Sequence, residues 1–346
     1  MSDPTPSARG LLTAGRPIEE WLKDLLAQDD EIIRTTGFLR LLETLKTSEE
    51  VRAIIDVVTS VPRRGRGSRG RELGMLLQKW TEIDPKAAIE YASAANGNDE
   101  RRGATSIVLR AWTRLRADEA LAWARENGKG ENAQEGNWAI AAVVTQLARS
   151  DIDRAIDVAS QQEVSRARGR TMDTLVSELI AQRGGEAARL AVADLPASTF
   201  RDALTAELAG RLADANGAQT AKWVLSLPPG DGRTKALAEV VNEWAEDDAV
   251  ATGNFLSRFP ISPETDPSRE RYAWNVLRAD PEAALAWAGT ISQEAQRTRA
   301  IESLVRSWMR RDAPAARDWV AQSSLPPQLK TRLSPGAQPD TRRMVR

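Results

Sequence analysis

Residues 280–288 read DPEAALAWA, Asp280 to Ala288, and this stretch sets the architecture. Eroded copies recur along most of the chain. Aligned on the large apolar residue four positions before the Asp-Pro pair, called slot zero here, they fall at Trp80, Trp112, Leu147, Ile180, Leu212, Trp244, Val276 and Trp308. The successive spacings are 32, 35, 33, 32, 32, 32 and 32 residues. A period held that closely is the signature of a repeat architecture rather than of one globular core.

Each copy predicts two helices. Upstream of slot zero, apolar residues sit at minus seven, minus four and minus three: Leu73, Leu76 and Leu77 in the first repeat, Ile301, Leu304 and Val305 in the last. That spacing is one face of an amphipathic helix, helix A. A short break follows. Asp84-Pro85 and Asp280-Pro281 then open helix B, the Asp oxygen accepting from free amides and the Pro having no amide to leave unpaired. At plus eight the residue is always small: Ala88, Ala120, Ala155, Ala188, Thr220, Thr252, Ala284, Ala316. At plus eleven it is mostly large: Tyr91, Trp123, Val158, Ala191, Trp223, Phe255, Trp287, Trp319. A small residue lets two helix axes approach and a large one fills the groove beside it. A hairpin with a one-sided core closes only against its neighbours. The expected fold is therefore all-α, an α-solenoid of about eight or nine stacked helical hairpins wound as a right-handed superhelix.

Composition bounds the chemistry. The chain has 346 residues, with 48 Lys and Arg against 49 Asp and Glu, so no whole-protein field draws in polyanions. Mean hydropathy is −0.44 and no long apolar run occurs, so no membrane span is expected. Cys and His are both absent. Their absence removes thiol and imidazole nucleophiles, His general bases and Cys or His metal sites. No cofactor is expected. The N-terminal run MSDPTPSARGLLTAGRP lacks an apolar signal-peptide core. The cytoplasm is the default compartment; an extracytoplasmic place requires a leader removed ahead of this sequence.

The rest of the chain arranges itself around the array. Residues 1–16 are rich in Pro, Ser and Gly and read as disordered. Segment 17–60 reads as a capping helix, with Ile18, Trp21, Leu22 and Leu25 as its apolar stripe, followed by a degenerate repeat with helices at about 31–45 and 48–59. Residues 61–70 form a basic Gly/Arg loop carrying Arg63, Arg64, Arg66 and Arg69. Regular repeats fill 71–325, and 326–346 reads as a disordered basic tail. Turn signals such as Asn127-Gly128, Gly184-Gly185 and Pro228-Pro229-Gly230 separate the helices. Repeats three and four are the most eroded, which marks them as the place for a change of superhelix pitch.

The hairpin length and the Ala and Trp spacing resemble the tetratricopeptide class of α-solenoids, although the Trp-Leu-Gly-Tyr pattern of that class is missing from helix A. The chain is more similar to uncharacterised bacterial proteins with W-x3-DP-xAA-xxWA repeats, through Trp80-TEI-DPKAAIEYA and LRADPEAALAWA at 277–288. The likeness covers about three quarters of the chain, implies a solenoid, and brings no activity or binding residues with it.

Eleven tryptophans suggest aromatic platforms for bases or sugars. The period assigns eight of them to packing slots instead: Trp80, Trp112, Trp244 and Trp308 at slot zero, Trp123, Trp223, Trp287 and Trp319 at plus eleven. Trp274 falls outside those slots. It stands two before slot zero, where other repeats carry polar residues such as Gln78, Arg110, Thr145, Glu178, Asn242 and Arg306. Either it packs locally beside the modest Val276, or it is an exposed hot-spot residue. If helix A lines the inner face, Arg110, Glu178, Asn242, Trp274 and Arg306 form a candidate partner-binding stripe. Arginines also recur eleven before slot zero, at Arg101, Arg201, Arg233 and Arg297. A cation at a helix start opposes the dipole, so these are expected either to pair with an acid or loop carbonyl of a neighbouring repeat or to contact a ligand.

Phosphate loops, nucleophile elbows and zinc-binding HExxH motifs are all missing. Adjacent acids at Asp29-Asp30 and Asp247-Asp248 read as solvated or capping groups. The leading expectation is a non-enzymatic scaffold or adaptor binding a protein or peptide along one solenoid face. The alternative is nucleic-acid binding through Arg63, Arg64, Arg66, Arg69 and the helix-start arginines. A weak terminal cap would also permit self-association through the solenoid ends.

Overall fold

The computed structural model describes residues 18–60, 68–95, 97–128, 137–162 and 166–333. Among them there are seventeen helices and no strand, so the protein is all-α. It divides into two compact units, Met1–Leu175 and Val176–Arg346, the division falling inside one helix.

The first unit opens with α1 (Ile18–Ala27), α2 (Glu31–Thr44) and α3 (Ser48–Ser60). The repeats follow as α4 (Ser68–Ile83), α5 (Pro85–Ser93), α6 (Asn98–Asn127), α7 (Trp138–Ser150) and α8 (Ile152–Ser160), and α9 (Arg166–Ala193) crosses into the second unit. That unit continues with α10 (Thr199–Ser226), α11 (Asp231–Asp247), α12 (Ala249–Leu256), α13 (Asp266–Val276), α14 (Pro281–Gly289), α15 (Glu294–Met309), α16 (Ala313–Gln322) and α17 (Pro327–Leu333). Within each unit, helices pack on the next helix in the chain or the next but one, as α4 does on α5 and α6, and α11 on α12 and α13.

The joint between helix A and helix B keeps one backbone conformation. Asp84, Asp151, Asp248, Asp280 and Asp312 all have φ between −154 and −141 and ψ between 81 and 94, with the side chain accepting from an amide of the next turn. Arg116 (φ −150, ψ 75) and Asn216 (φ −161, ψ 87) take the same conformation inside α6 and α10. Those two long helices are thus hairpins whose two arms meet at the usual joint. Asp30 of the first acidic pair caps α2 in the same manner, accepting from Ile32 and Ile33 amides. Both acidic pairs therefore serve helix ends.

All eight plus-eight residues are buried, Thr220 at 1% exposure and the other seven at zero. The minus-four and minus-three pairs Leu76/Leu77, Val108/Leu109, Val143/Val144, Val240/Val241 and Leu304/Val305 are buried to 1% or less. Each such side chain stabilises the fold by about 1.5–3 kcal/mol through transfer from water.

The fourth repeat needs a correction. The buried face of α9 is Met172, Leu175, Val176 and Leu179, while Ile180 is half-buried. Slot zero there is Leu179, and helix A runs one residue longer than elsewhere. The joint then falls on Gly184, whose φ of 78 and ψ of 164 place it in a region open to glycine and little else. Two other boundaries move. Pro327–Leu333, read as the start of the tail, is a helix with Leu329 and Leu333 buried. Helix α4 begins at Ser68, so Arg69 lies in a helix rather than a loop. Arg63, Arg64 and Arg66 lie outside the described residues.

The plus-eleven tryptophans differ from the expectation of full burial. Trp80, Trp112 and Trp308 at slot zero are buried, but Trp123, Trp223, Trp287 and Trp319 are half-buried. Trp244, also at slot zero, is half-buried as well, and the plus-eleven ring lies at the margin of the core. It stacks on its own repeat's slot-zero ring at 5.2 Å in Trp80–Tyr91, 5.4 Å in Trp244–Phe255 and 6.5 Å in Trp308–Trp319.

Candidate functional site

The helix-start arginines are used within the chain. The Nη1 groups of Arg201, Arg233 and Arg297 donate to the carbonyls of Leu195, Leu227 and Ile291, each six residues earlier, at 3.2, 3.2 and 2.7 Å. Arg34 and Arg168 make the same bond, to Gln28 and Gln162 at 2.7 and 3.2 Å. Every acceptor lies at or just past the C-terminus of the preceding helix, where free carbonyls and the negative dipole end favour a cation. Of the two expectations, the loop-carbonyl partner holds. Arg168 also shows why the register of the fourth repeat matters: it stands eleven before Leu179, not before Ile180. Arg101 instead bonds Asn98 within its own helix start.

The minus-two residues are spread over both units. Arg110 lies on α6 in the first unit and is half-buried; burial, then the charge of Arg149, holds its guanidinium below the ordinary arginine range. The others lie in the second unit. Glu178 shifts to minus one once Leu179 is slot zero, and it accepts weakly from Gln182 Nε2 at 3.5 Å. Arg306 is exposed on α15. Asn242 and Trp274 lie on the packed helices α11 and α13. Asn275 Nδ2 donates to Asn242 O at 3.2 Å and to its Oδ1 at 3.4 Å, and Trp274, beside Asn275, is 39% exposed. Trp274 is the only large aromatic ring among the exposed large hydrophobic residues described.

This surface continues into a cleft that the sequence did not reveal. Between α10 and α11 a space of about 300 Å³ is lined by Ala206, Glu207, Gly210, Arg211, Asp214, Glu239 and Glu243. Its walls carry four carboxylates against one guanidinium. Gly210 occupies the minus-two slot, and a Cβ there would make ordinary contact with Glu239 Cβ at 3.5 Å. Two of the lining acids have partners outside the cleft lining. Glu239 pairs with Arg271 of α13 at 3.2 Å, and Glu243 Oε1 accepts from Asn242 Nδ2 at 3.0 Å. Cleft, Asn242–Asn275 link and Trp274 thus follow one another across three packed helix A segments. No single repeat contains them, which is why a repeat-by-repeat reading finds only Asn242 and Trp274.

A second polar cluster is structural. Asp266 is fully buried and accepts from Ser292 N, Ser292 Oγ and Gln293 N at 2.7, 2.6 and 3.0 Å. Arg269, at 3% exposure, donates to Phe259 O and Thr290 Oγ1 at 3.0 and 3.1 Å. Burial lowers the Arg269 guanidinium and the Asp266 charge opposes that. Together they tie the 257–265 loop and the 290–293 loop to the start of α13, and their oxygens and nitrogens are spent on that task.

At the other end of the chain α2 exposes Ile32, Ile33 and Leu39 at 77%, 55% and 48%, an apolar face of the kind that self-association would use. No described helix is long and apolar enough to cross a membrane. No cluster of His, Cys, Asp or Glu with metal-binding geometry occurs among the described residues. Comparison with protein-family models, with curated proteins and with solved structures gives no match to this chain.

Proposed function

We propose that the chain is a non-enzymatic scaffold: an α-solenoid of eight or nine helical hairpins, wound right-handed, that holds a protein or peptide segment against the helix A face of α10, α11 and α13. Polar contacts one period apart support the stacking, among them Trp80 Nε1 to Ser48 Oγ at 2.9 Å and Arg311 Nη2 to Arg278 O at 3.1 Å. The observation that carries the binding reading is Trp274, 39% exposed and linked through Asn275, Asn242 and Glu243 to an acid-lined cleft. Tryptophan in such a setting is the residue type that dominates interface energetics. The partner segment supplies an apolar residue for Trp274 and positive charge for the cleft. Nucleic acid has no specific observation in its favour: the helix-start arginines Arg201, Arg233 and Arg297 are occupied by carbonyls and the cleft is acidic.

The test is photo-crosslinking in a lysate of the source organism. Asn242→p-benzoylphenylalanine is compared with Arg317→p-benzoylphenylalanine, placed on an exposed helix B position. The reading predicts a discrete polypeptide adduct from position 242 and not from 317. Equal adducts at both positions, no adduct, or adducts removed by nuclease would contradict it.

A further inference from the structure

The plus-eleven tryptophans reveal a second site, in the first unit. In three repeats this ring is covered by another group of the same chain. Trp223 carries the Arg189 guanidinium 5.0 Å from its centroid, Trp287 carries that of Arg269 at 5.6 Å, and Trp319 stacks on Trp308. Trp123 has neither: among the described residues no guanidinium and no aromatic ring lies on it. It lines a cleft of about 960 Å³ between α5 and α6 instead, with Ile89 and Trp112 and with three carboxylates, Glu90, Glu119 and Glu126, against two cations, Lys86 and Arg116.

The period explains the difference. Arg189 directly follows Ala188, the small buried residue of helix B in the repeat preceding Trp223. The same place before Trp123, directly after Ala88, is Ile89, which is 3% exposed and has no charge to offer. The cations of the cleft leave two of its three acids without a partner. Arg116 pairs with Glu119 at 3.5 Å, whereas Glu90 and Glu126 pair with no cation among the described residues. Trp112 adds an independent sign. Its Nε1 is buried without an acceptor, although the equivalent Trp80 Nε1 bonds Ser48. Ser48 stands three after Leu45, the buried residue that ends the degenerate repeat's first helix, and the residue three after Trp80 is Ile83.

We propose that this cleft binds an arginine side chain of a polypeptide partner. Its guanidinium lies over Trp123, in the place that Arg189 takes over Trp223, and faces Glu90 and Glu126. An aromatic face combined with carboxylates is the chemistry that selects a planar cation. The site is separate from the Trp274 surface and does not depend on it.

The probe is a randomised peptide library displayed on phage, selected on the Trp274→Ala protein so that the other surface contributes least. The expected result is enrichment of arginine-containing peptides. Their affinity falls about tenfold or more in Trp123→Leu, in the Glu90→Gln/Glu126→Gln double variant, and when citrulline replaces the arginine. Circular dichroism checks that each variant keeps its helicity, and the citrulline peptide needs no protein variant at all. Selected peptides without arginine enrichment, or affinities unmoved by citrulline and by the double variant, would overturn the proposal.

Discussion

Gly217 lies against the indole of Trp244: a Cβ at Gly217 would stand 2.2 Å from Trp244 Cγ. Gly217 opens the second arm of one hairpin and Trp244 is slot zero of the next, so the contact is one by which neighbouring hairpins seat on each other. Gly185 does the same for Leu212, with a Cβ coming 2.8 Å from Leu212 Cδ2. Gly217→Ala therefore costs about 1–3 kcal/mol by overpacking, read from urea unfolding. Gly210→Ala is the contrast. Its Cβ meets only ordinary contacts, and the helix interior gains about 0.5–1 kcal/mol.

Gly184→Ala tests the one-residue extension of α9. Nothing lies within 4 Å of a Cβ there, so the cost comes from backbone conformation alone. The expected loss is about 1–3 kcal/mol in urea unfolding. A neutral result would mean the joint relaxes to the conformation used in the other repeats.

Arg233→Ala separates structure from binding at the helix starts. It removes the bonds to Leu227 O and to Glu264. Stability should fall by about 1–2 kcal/mol, while affinity for any partner stays unchanged in titration calorimetry. A loss of affinity with unchanged stability would return these arginines to the ligand.

Asp266→Ala removes the acceptor of three hydrogen bonds in a fully buried place. Leaving such donors unpaired costs about 1–3 kcal/mol each in the general case, so a loss of at least ~2 kcal/mol is expected in urea unfolding. Hydrogen exchange should rise first at residues 290–293, the loop that Asp266 holds.

Much of the fold was legible because the chain states it eight times. The small plus-eight residues, the Asp joints and the apolar minus-four positions each recur with one physical role, and each is found buried or capping. The failures have equally local causes. Ile180 lies 32 residues before Leu212 and Leu179 lies 32 after Leu147, so the spacing does not choose between them, and one extra residue before Gly184 puts the anchor at Leu179. Pro326-Pro327 looks like a stop, yet Pro is at home in the first turn of a helix, and Leu329 and Leu333 find a buried place. The candidate sites were less legible. Trp274 announced itself by breaking the register. The acid-lined cleft and the bare face of Trp123 are made by residues one period apart, so they emerge only when neighbouring hairpins are stacked.

Capture from a nuclease-treated lysate of the source organism, on immobilised wild type and Trp274→Ala side by side, tests the central claim most directly. Trp274 is 39% exposed and the rest of its ring is covered, so circular dichroism first checks that the variant keeps its helicity. A polypeptide retained by wild type and lost from Trp274→Ala is the predicted result. Equal retention by both proteins, or retention that vanishes with nuclease, would contradict the claim that the α10, α11 and α13 face holds a protein partner.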